Sequence, residues 1–164
     1  MKYKSFEDLP VWQAAIDLAR RIYAFTEHQA FRSHAGLRDQ LERAALSISN
    51  NIAEGFERGT TNELLAFLYI ARGSSGEVRS MLCLLERVPA FSPLKSDIRD
   101  LKASCLSISR QLYGWIEQLK NSDISGQRHL NNKARSRATE RKDRDTFLEE
   151  LDRIRQSSTK QSEV

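Results

Sequence analysis

Cysteine and histidine are scarce: the chain holds two cysteines and three histidines among 164 residues. Cys83 and Cys105 form no C-x-x-C pair, and no His/Cys cluster accompanies them. That composition excludes a disulfide framework and a zinc finger and predicts a reducing, cytoplasmic setting. If the two thiols sit on antiparallel neighbouring helices joined near Phe91, they are offset by about six residues, or about 9 Å of helix rise, too far to bridge. Apolar runs are short. None approaches the roughly 20 residues of a membrane span, and the opening MKYKSFEDLP holds no long apolar stretch, so a soluble protein with no membrane partner is expected. No segment alternates with the period of two that marks a strand. Recognisable reaction motifs are missing too. There is no P-loop, no G-x-S-x-G and no Glu-x-x-His pattern of di-iron bundles. The expectation is a protein that is not an enzyme, with no catalytic residue, cofactor or metal; a di-metal bundle enzyme is the remote alternative.

Helical periodicity is abundant. Asp8 and Pro10 predict the start of a first helix, with proline in the first turn where its missing N–H costs nothing. It should run to about His28. Val11, Ala15, Leu18, Ile22 and Phe25 form one apolar stripe, while Trp12, Ile16, Ala19 and Tyr23 form a second, rotated by about 100°. Either the helix is deeply buried with a wide core face, or the second stripe contacts another subunit. A second helix is predicted from Ser33 through Leu37, Leu41, Ala44, Ala45, Ile48 and Ile52, ending between Gly55 and Gly59 on a left-handed glycine. Thr60 and Glu63 have the form of a capping box that starts a third helix carrying Leu64, Leu68, Ala71, Val78, Leu82 and Leu85. Gly73, Ser74, Ser75 and Gly76 interrupt it with small residues. Each helical glycine costs about 1 kcal/mol relative to alanine, which close approach of another helix should offset. A fourth helix begins near Pro93 and carries Leu94, Ile98, Leu101, Cys105, Ile108, Leu112, Trp115 and Leu119.

Short connections between these segments predict an all-α, antiparallel up-down-up-down four-helix bundle over residues 1–120. Composition then changes. Residues 121–142 are polar and basic and read as a disordered linker, 143–156 as a short amphipathic helix carrying Phe147, Leu148, Leu151 and Ile154, and 157–164 as a disordered terminus.

Phe6, Leu9, Val11 and Trp12, then Arg43-Ala44-Ala45, Ser47-Ile48, Asn51-Ile52-Ala53-Glu54-Gly55-Phe56 and Phe67-Leu68-x-Ile70-Ala71-x-Gly73-Ser74, carry a resemblance over roughly residues 3–120. The chain resembles the four-helix bundle proteins encoded within intervening sequences of large-subunit ribosomal RNA genes. That family is in turn similar to the accessory variability determinant proteins of diversity-generating retroelements. Ser49 stands where the family commonly has proline. The resemblance implies a homopentameric ring with no known enzymatic activity. In the retroelement members it further implies basic surfaces that engage nucleic acid and a reverse transcriptase. Five copies of a chain of net charge +4 would carry about +20, which favours polyanion binding.

The candidate residues follow from charge. Lys95, Arg99, Lys102 and Arg110 fall on one stripe of the fourth helix with Tyr113, away from its core face. Such a stripe either neutralises phosphates, with Tyr113 placed to stack on an unpaired base, or is an ordinary solvated face. Arg72 and Arg79 on the third helix could extend it. Arg128, Lys133, Arg135, Arg137, Arg141 and Lys142 in the tail face only Glu140 and either bind phosphates or solubilise a linker. Asn51, Glu54 and Gly55 read as a structural motif satisfying backbone donors where two helices meet, with Arg43 pairing Glu42 or Glu54. His28 and His34 are expected in solvent. The expected function is a non-catalytic homo-oligomer that binds RNA or DNA by charge, as an accessory to a reverse transcriptase or another RNA- or DNA-handling partner. The alternative is a structural oligomer or protein adaptor that binds no nucleic acid.

Overall fold

The computed structural model describes residues 3–121 together with Arg144 and Phe147. The chain divides into two units, Met1–Gln127 and Arg128–Val164. In the second unit, Arg144 and Phe147 are helical. Of the predicted linker only Asn121 is described, as the cap of the helix that ends at Lys120; the rest of it, the predicted terminus and the rest of the predicted amphipathic helix lie outside the described residues.

Among the described residues of the first unit, the elements are α1 (Pro10–Thr26), α2 (Ala35–Glu57), α3 (Thr61–Leu85) and α4 (Lys95–Lys120), with no strand; short 3-10 turns lie in the α1/α2 and α3/α4 connections. Each helix packs on its neighbours in sequence, and α4 closes the square against α1. Cross-helix pairs fix the direction. Gln40 meets Glu77 and Ser47 meets Ser74 between α2 and α3, while Glu86 meets Lys102 and Arg72 meets Tyr113 between α3 and α4. Residue numbers rise on one helix as they fall on the other, so neighbours are antiparallel. This is the up-down-up-down bundle that the periodicity predicts. No helix among the described residues is long and apolar enough to cross a membrane.

The predicted core stripes converge. Leu18, Ile22, Leu41, Ile48, Ile52, Leu64, Leu68, Leu82, Ile98 and Leu112 are fully enclosed. At about 1.5–3 kcal/mol for each such side chain removed from water, they supply the main drive to fold. Trp115 is only partly buried, and its neighbour Ile116 takes the core position. One end of the bundle is plugged by aromatics from the connections. Phe31 packs edge-on against Phe25 and Phe91, with ring centroids 5.3 and 4.8 Å apart, and the His34 ring leans on Phe91. His34 is therefore half-buried rather than solvated, and His28 is half-buried too, its Nδ1 accepting the Ala30 N–H at 3.2 Å.

Several local expectations change. Asp8 belongs to a 3-10 turn spanning Phe6–Asp8, so Leu9 occupies the cap of α1 without a side-chain bond, and Pro10 alone marks the start. Ser33 lies outside α2, its hydroxyl 3.0 Å from His34 Nδ1. No glycine among the described residues has positive φ. The chain leaves α2 instead through extended backbone at Arg58 and Thr60. The capping box forms as predicted: Glu63 N–H donates to Thr60 Oγ1 at 3.3 Å, and Thr60 N–H donates to Glu63 Oε2 at 3.2 Å. Ser49, buried inside α2, donates to the Leu46 carbonyl at 3.1 Å, and the helix continues unbroken through it.

Close approach to the rest of the bundle belongs to the serines rather than to the glycines between which they stand. Ser75 Oγ donates to the Cys105 carbonyl at 2.9 Å, and Ser74 Oγ lies 2.9 Å from Ser47 Oγ. A Cβ added at Gly73 or Gly76 would meet nothing within 4 Å. The crowded glycine is Gly55, where an added Cβ would lie 2.7 Å from Phe67 Cβ.

Candidate nucleic-acid interface

Acidic partners divide the bundle's cations by helix. On α1 and α2, Arg20, Arg21, Arg38, Arg43 and Arg58 each lie within 4.0 Å of an aspartate or glutamate three or four residues away. Helical spacing makes this automatic, since i,i+3 and i,i+4 side chains share a face. Arg79 on α3 and Lys95, Arg99 and Arg110 on α4 are exposed and have no ion pair among the described residues. The positive charge of one side is locally cancelled. On the other, Lys102 and Lys120 are paired, and Arg79, Lys95, Arg99 and Arg110 are left to solvent or to a ligand.

The sequence-predicted stripe is assembled with one exception. Lys102 Nζ lies 2.7 Å from Glu86 Oε2 across the α3/α4 seam. The hydrogen bond from Lys102, followed by its charge, pulls the Glu86 carboxyl below its ordinary range, and the same bond raises the Lys102 ammonium. Lys102 is thus engaged within the chain, unlike Lys95, Arg99 and Arg110. Arg72, half-buried on α3, places its guanidinium 5.0 Å from the centroid of the Tyr113 ring. Arg72 therefore reaches the α4 stripe at Tyr113.

Tyr69 and Lys120 do not stand out in the sequence, yet both belong to this surface. Lys120 donates to Glu117 at 3.0 Å, a bond that raises its pKa, with smaller contributions from the nearby Tyr69 and Tyr113. Tyr69 stands three residues before Arg72, one turn along the same helix, and that spacing is the signal that could have found it.

Of the predicted subunit-contact stripe, Ile16 and Tyr23 are exposed, Trp12 is half-buried against Phe6, and Ala19 is in the bundle core at 4% exposure. Ala19 turns inward because its stripe lies only one residue from the core face, and the bundle takes the small side chain. The Asn51–Glu54–Gly55 motif is built differently from expectation. Asn51 Nδ2 donates to the Ser47 carbonyl at 2.7 Å and to Ser47 Oγ at 3.0 Å, so it serves an acceptor on α2. Glu54 pairs with Arg58, and Arg43 pairs with Asp39 rather than with Glu42 or Glu54. Gly55 alone sits at the α2/α3 contact. Tail residues Arg128, Lys133, Arg135, Arg137, Arg141 and Lys142 lie outside the described residues.

An open cleft of about 290 Å³ between α1 and α4 is lined by Arg20, Arg21 and Asp97 over Phe25 and Leu101. Arg21 is bonded there to Ser104 Oγ at 2.9 Å. Among the described residues no group of three or more His, Cys, Asp or Glu side chains is placed to hold a metal ion.

Fold and surface define a small all-α bundle, self-neutralised on two helices and with unpaired cations on the other two. Residues 7–114 match the family model of the 23S rRNA-intervening sequence protein, and the chain belongs to that family. The match names the ribosomal intervening-sequence family and carries nothing about retroelement accessory proteins. No match to this chain is found among curated proteins.

Proposed function

We propose that this protein is a non-catalytic, homo-oligomeric bundle that binds RNA or DNA by charge and serves an RNA- or DNA-handling partner, such as a reverse transcriptase. The observation that carries this reading is the asymmetry of ion pairing. Arg79, Lys95, Arg99 and Arg110 form no ion pair among the described residues, while the arginines of α1 and α2 and Arg58 at the α2 cap do. Unpaired cations on one face are free to displace the counterions of a phosphate backbone, and that release is the main source of sequence-independent affinity. The basic tail adds charge of the same sign.

Assembly has its own support. Ile16 and Tyr23 on α1 and Ile70 and Leu84 on α3 are large, mostly apolar and between 38 and 52% exposed. Five copies, the ring size implied by the family resemblance, would concentrate the cationic face. The same exposed side chains also favour the second reading, an oligomer or adaptor with no nucleic-acid ligand.

Fluorescence anisotropy of the full chain with labelled RNA and DNA, across a salt series, separates the two. The proposed function predicts an association constant that falls log-linearly with salt, by about 0.7 per phosphate neutralised on single strands. No binding at low salt leaves the adaptor reading. Sedimentation velocity of the same sample tests the oligomer, and a monomer at micromolar concentration would refute it.

A further inference from the structure

The basic surface also carries aromatic rings, and they sit together. Tyr113 is 50% exposed on α4 and Tyr69 48% exposed on α3. Single exposed apolar side chains are ordinary, but these two occur on adjacent helices beside Arg72, Arg110 and Lys120. Tyr69 and Arg72 stand one turn apart on α3, Arg110 and Tyr113 one turn apart on α4, and the Arg72–Tyr113 contact joins the two helices. The Arg72 guanidinium lies over the Tyr113 ring from the neighbouring helix, 5.0 Å from its centroid. A guanidinium stacked on a ring keeps its in-plane N–H groups available to phosphate oxygens.

We propose that Tyr113, held by Arg72 and flanked by Tyr69, is a stacking platform for unpaired bases, so that the ligand of this surface is single-stranded nucleic acid. This inference rests on the charge-based binding proposed above and adds its substrate class. Bases in a duplex are stacked on one another and offer no free face to a side chain, whereas an unpaired base does. The two modes predict opposite preferences. Charge alone favours the duplex, whose phosphates are denser and whose salt slope per phosphate is larger. Stacking favours the single strand. Because the rings lie on regular helices, the platform requires no folding of a loop around the ligand and no base-specific hydrogen bond, so little sequence preference is expected.

The test uses the full chain and three probes of about 15 nucleotides, matching the longer single-strand site sizes: oligothymidylate, an abasic strand with the same number of phosphates, and a duplex. The platform predicts oligothymidylate bound about tenfold tighter than the abasic strand at one salt concentration, with equal salt slopes. Tyr113→Ala should remove that difference, while Tyr113→Phe should preserve it. Circular dichroism checks that each variant is folded, and the comparison of probes on the unaltered chain decides the matter without any variant. Equal, salt-steep binding of the oligothymidylate and abasic strands would overturn the platform and leave charge-based binding standing. Failure to bind any probe at low salt would overturn both.

Discussion

Glu86 and Lys102 pair at 2.7 Å across the seam between α3 and α4, tying together the two helices that carry the unpaired cations. The bond has a pH signature. Glu86 is held below its ordinary range, so its stabilising contribution is present above the unfolded-state pKa and fades as pH falls through the lowered value. Lys102 is raised, so its contribution is present below the unfolded-state pKa and is lost as pH climbs through the raised value. The difference in urea midpoint between the unaltered chain and Glu86→Gln should therefore be greatest near neutrality and shrink toward both extremes. A difference that stays constant from acid to alkali would show that the pair contributes nothing.

The same substitution has an effect on binding. Glu86→Gln releases Lys102 to join Arg99 and Arg110 on the exposed stripe and removes one negative charge from it. Nucleic-acid affinity should rise, and the salt slope should steepen by up to about 0.7 on a single strand. Weaker binding by this variant would mean that the stripe does not face the ligand.

Two glycine substitutions should act with opposite signs. At Gly55, alanine brings a Cβ to 2.7 Å from Phe67 Cβ, an atom fixed to the backbone that can give way only if α2 and α3 separate. Overpacking of this kind costs about 1–3 kcal/mol, more than the roughly 1 kcal/mol gained in helix propensity. Gly73→Ala meets nothing within 4 Å and should stabilise the monomer by about 1 kcal/mol. Thermal unfolding of both variants at low protein concentration checks the pair. A stabilised Gly55→Ala chain would contradict the packing described for the α2/α3 contact.

The cysteines should react unequally. Burial pushes the Cys105 thiol up to about 12, and the side chain is fully enclosed. Cys83 is partly exposed. Iodoacetamide labelling of the native chain near pH 8, read by mass spectrometry, should modify Cys83 and spare Cys105 until urea opens the bundle. Equal labelling of the two in the native state would contradict the enclosure of Cys105.

Much of this architecture is legible in the sequence because helical burial repeats. The four-three spacing of Val11, Ala15, Leu18, Ile22 and Phe25 places each on one face whatever it packs against, and all five are buried. Phe31 and Phe91 lie in the connections, where no period exists, and so their plugging of the bundle end is not legible. Ala19 escapes the pattern because a stripe one residue from the core face is at the boundary, where size rather than period decides. The cationic stripe is visible as spacing, but the engagement of Lys102 by Glu86 is not, because that partner comes from another helix. The inward serines beside outward glycines in Gly73-Ser74-Ser75-Gly76 depend likewise on rotation of α3 against both neighbours.

The most direct test of the central claim is the salt slope of RNA binding by the full chain before and after neutralising the unpaired bundle cations with Arg79→Gln, Lys95→Gln, Arg99→Gln and Arg110→Gln together. If the α3/α4 surface is the binding face, affinity falls, and the slope becomes shallower by about 0.7 for each phosphate that the variant no longer neutralises. Unchanged affinity and slope in a folded variant would contradict it and shift the binding to the basic segment containing Arg128, Lys133, Arg135, Arg137, Arg141 and Lys142.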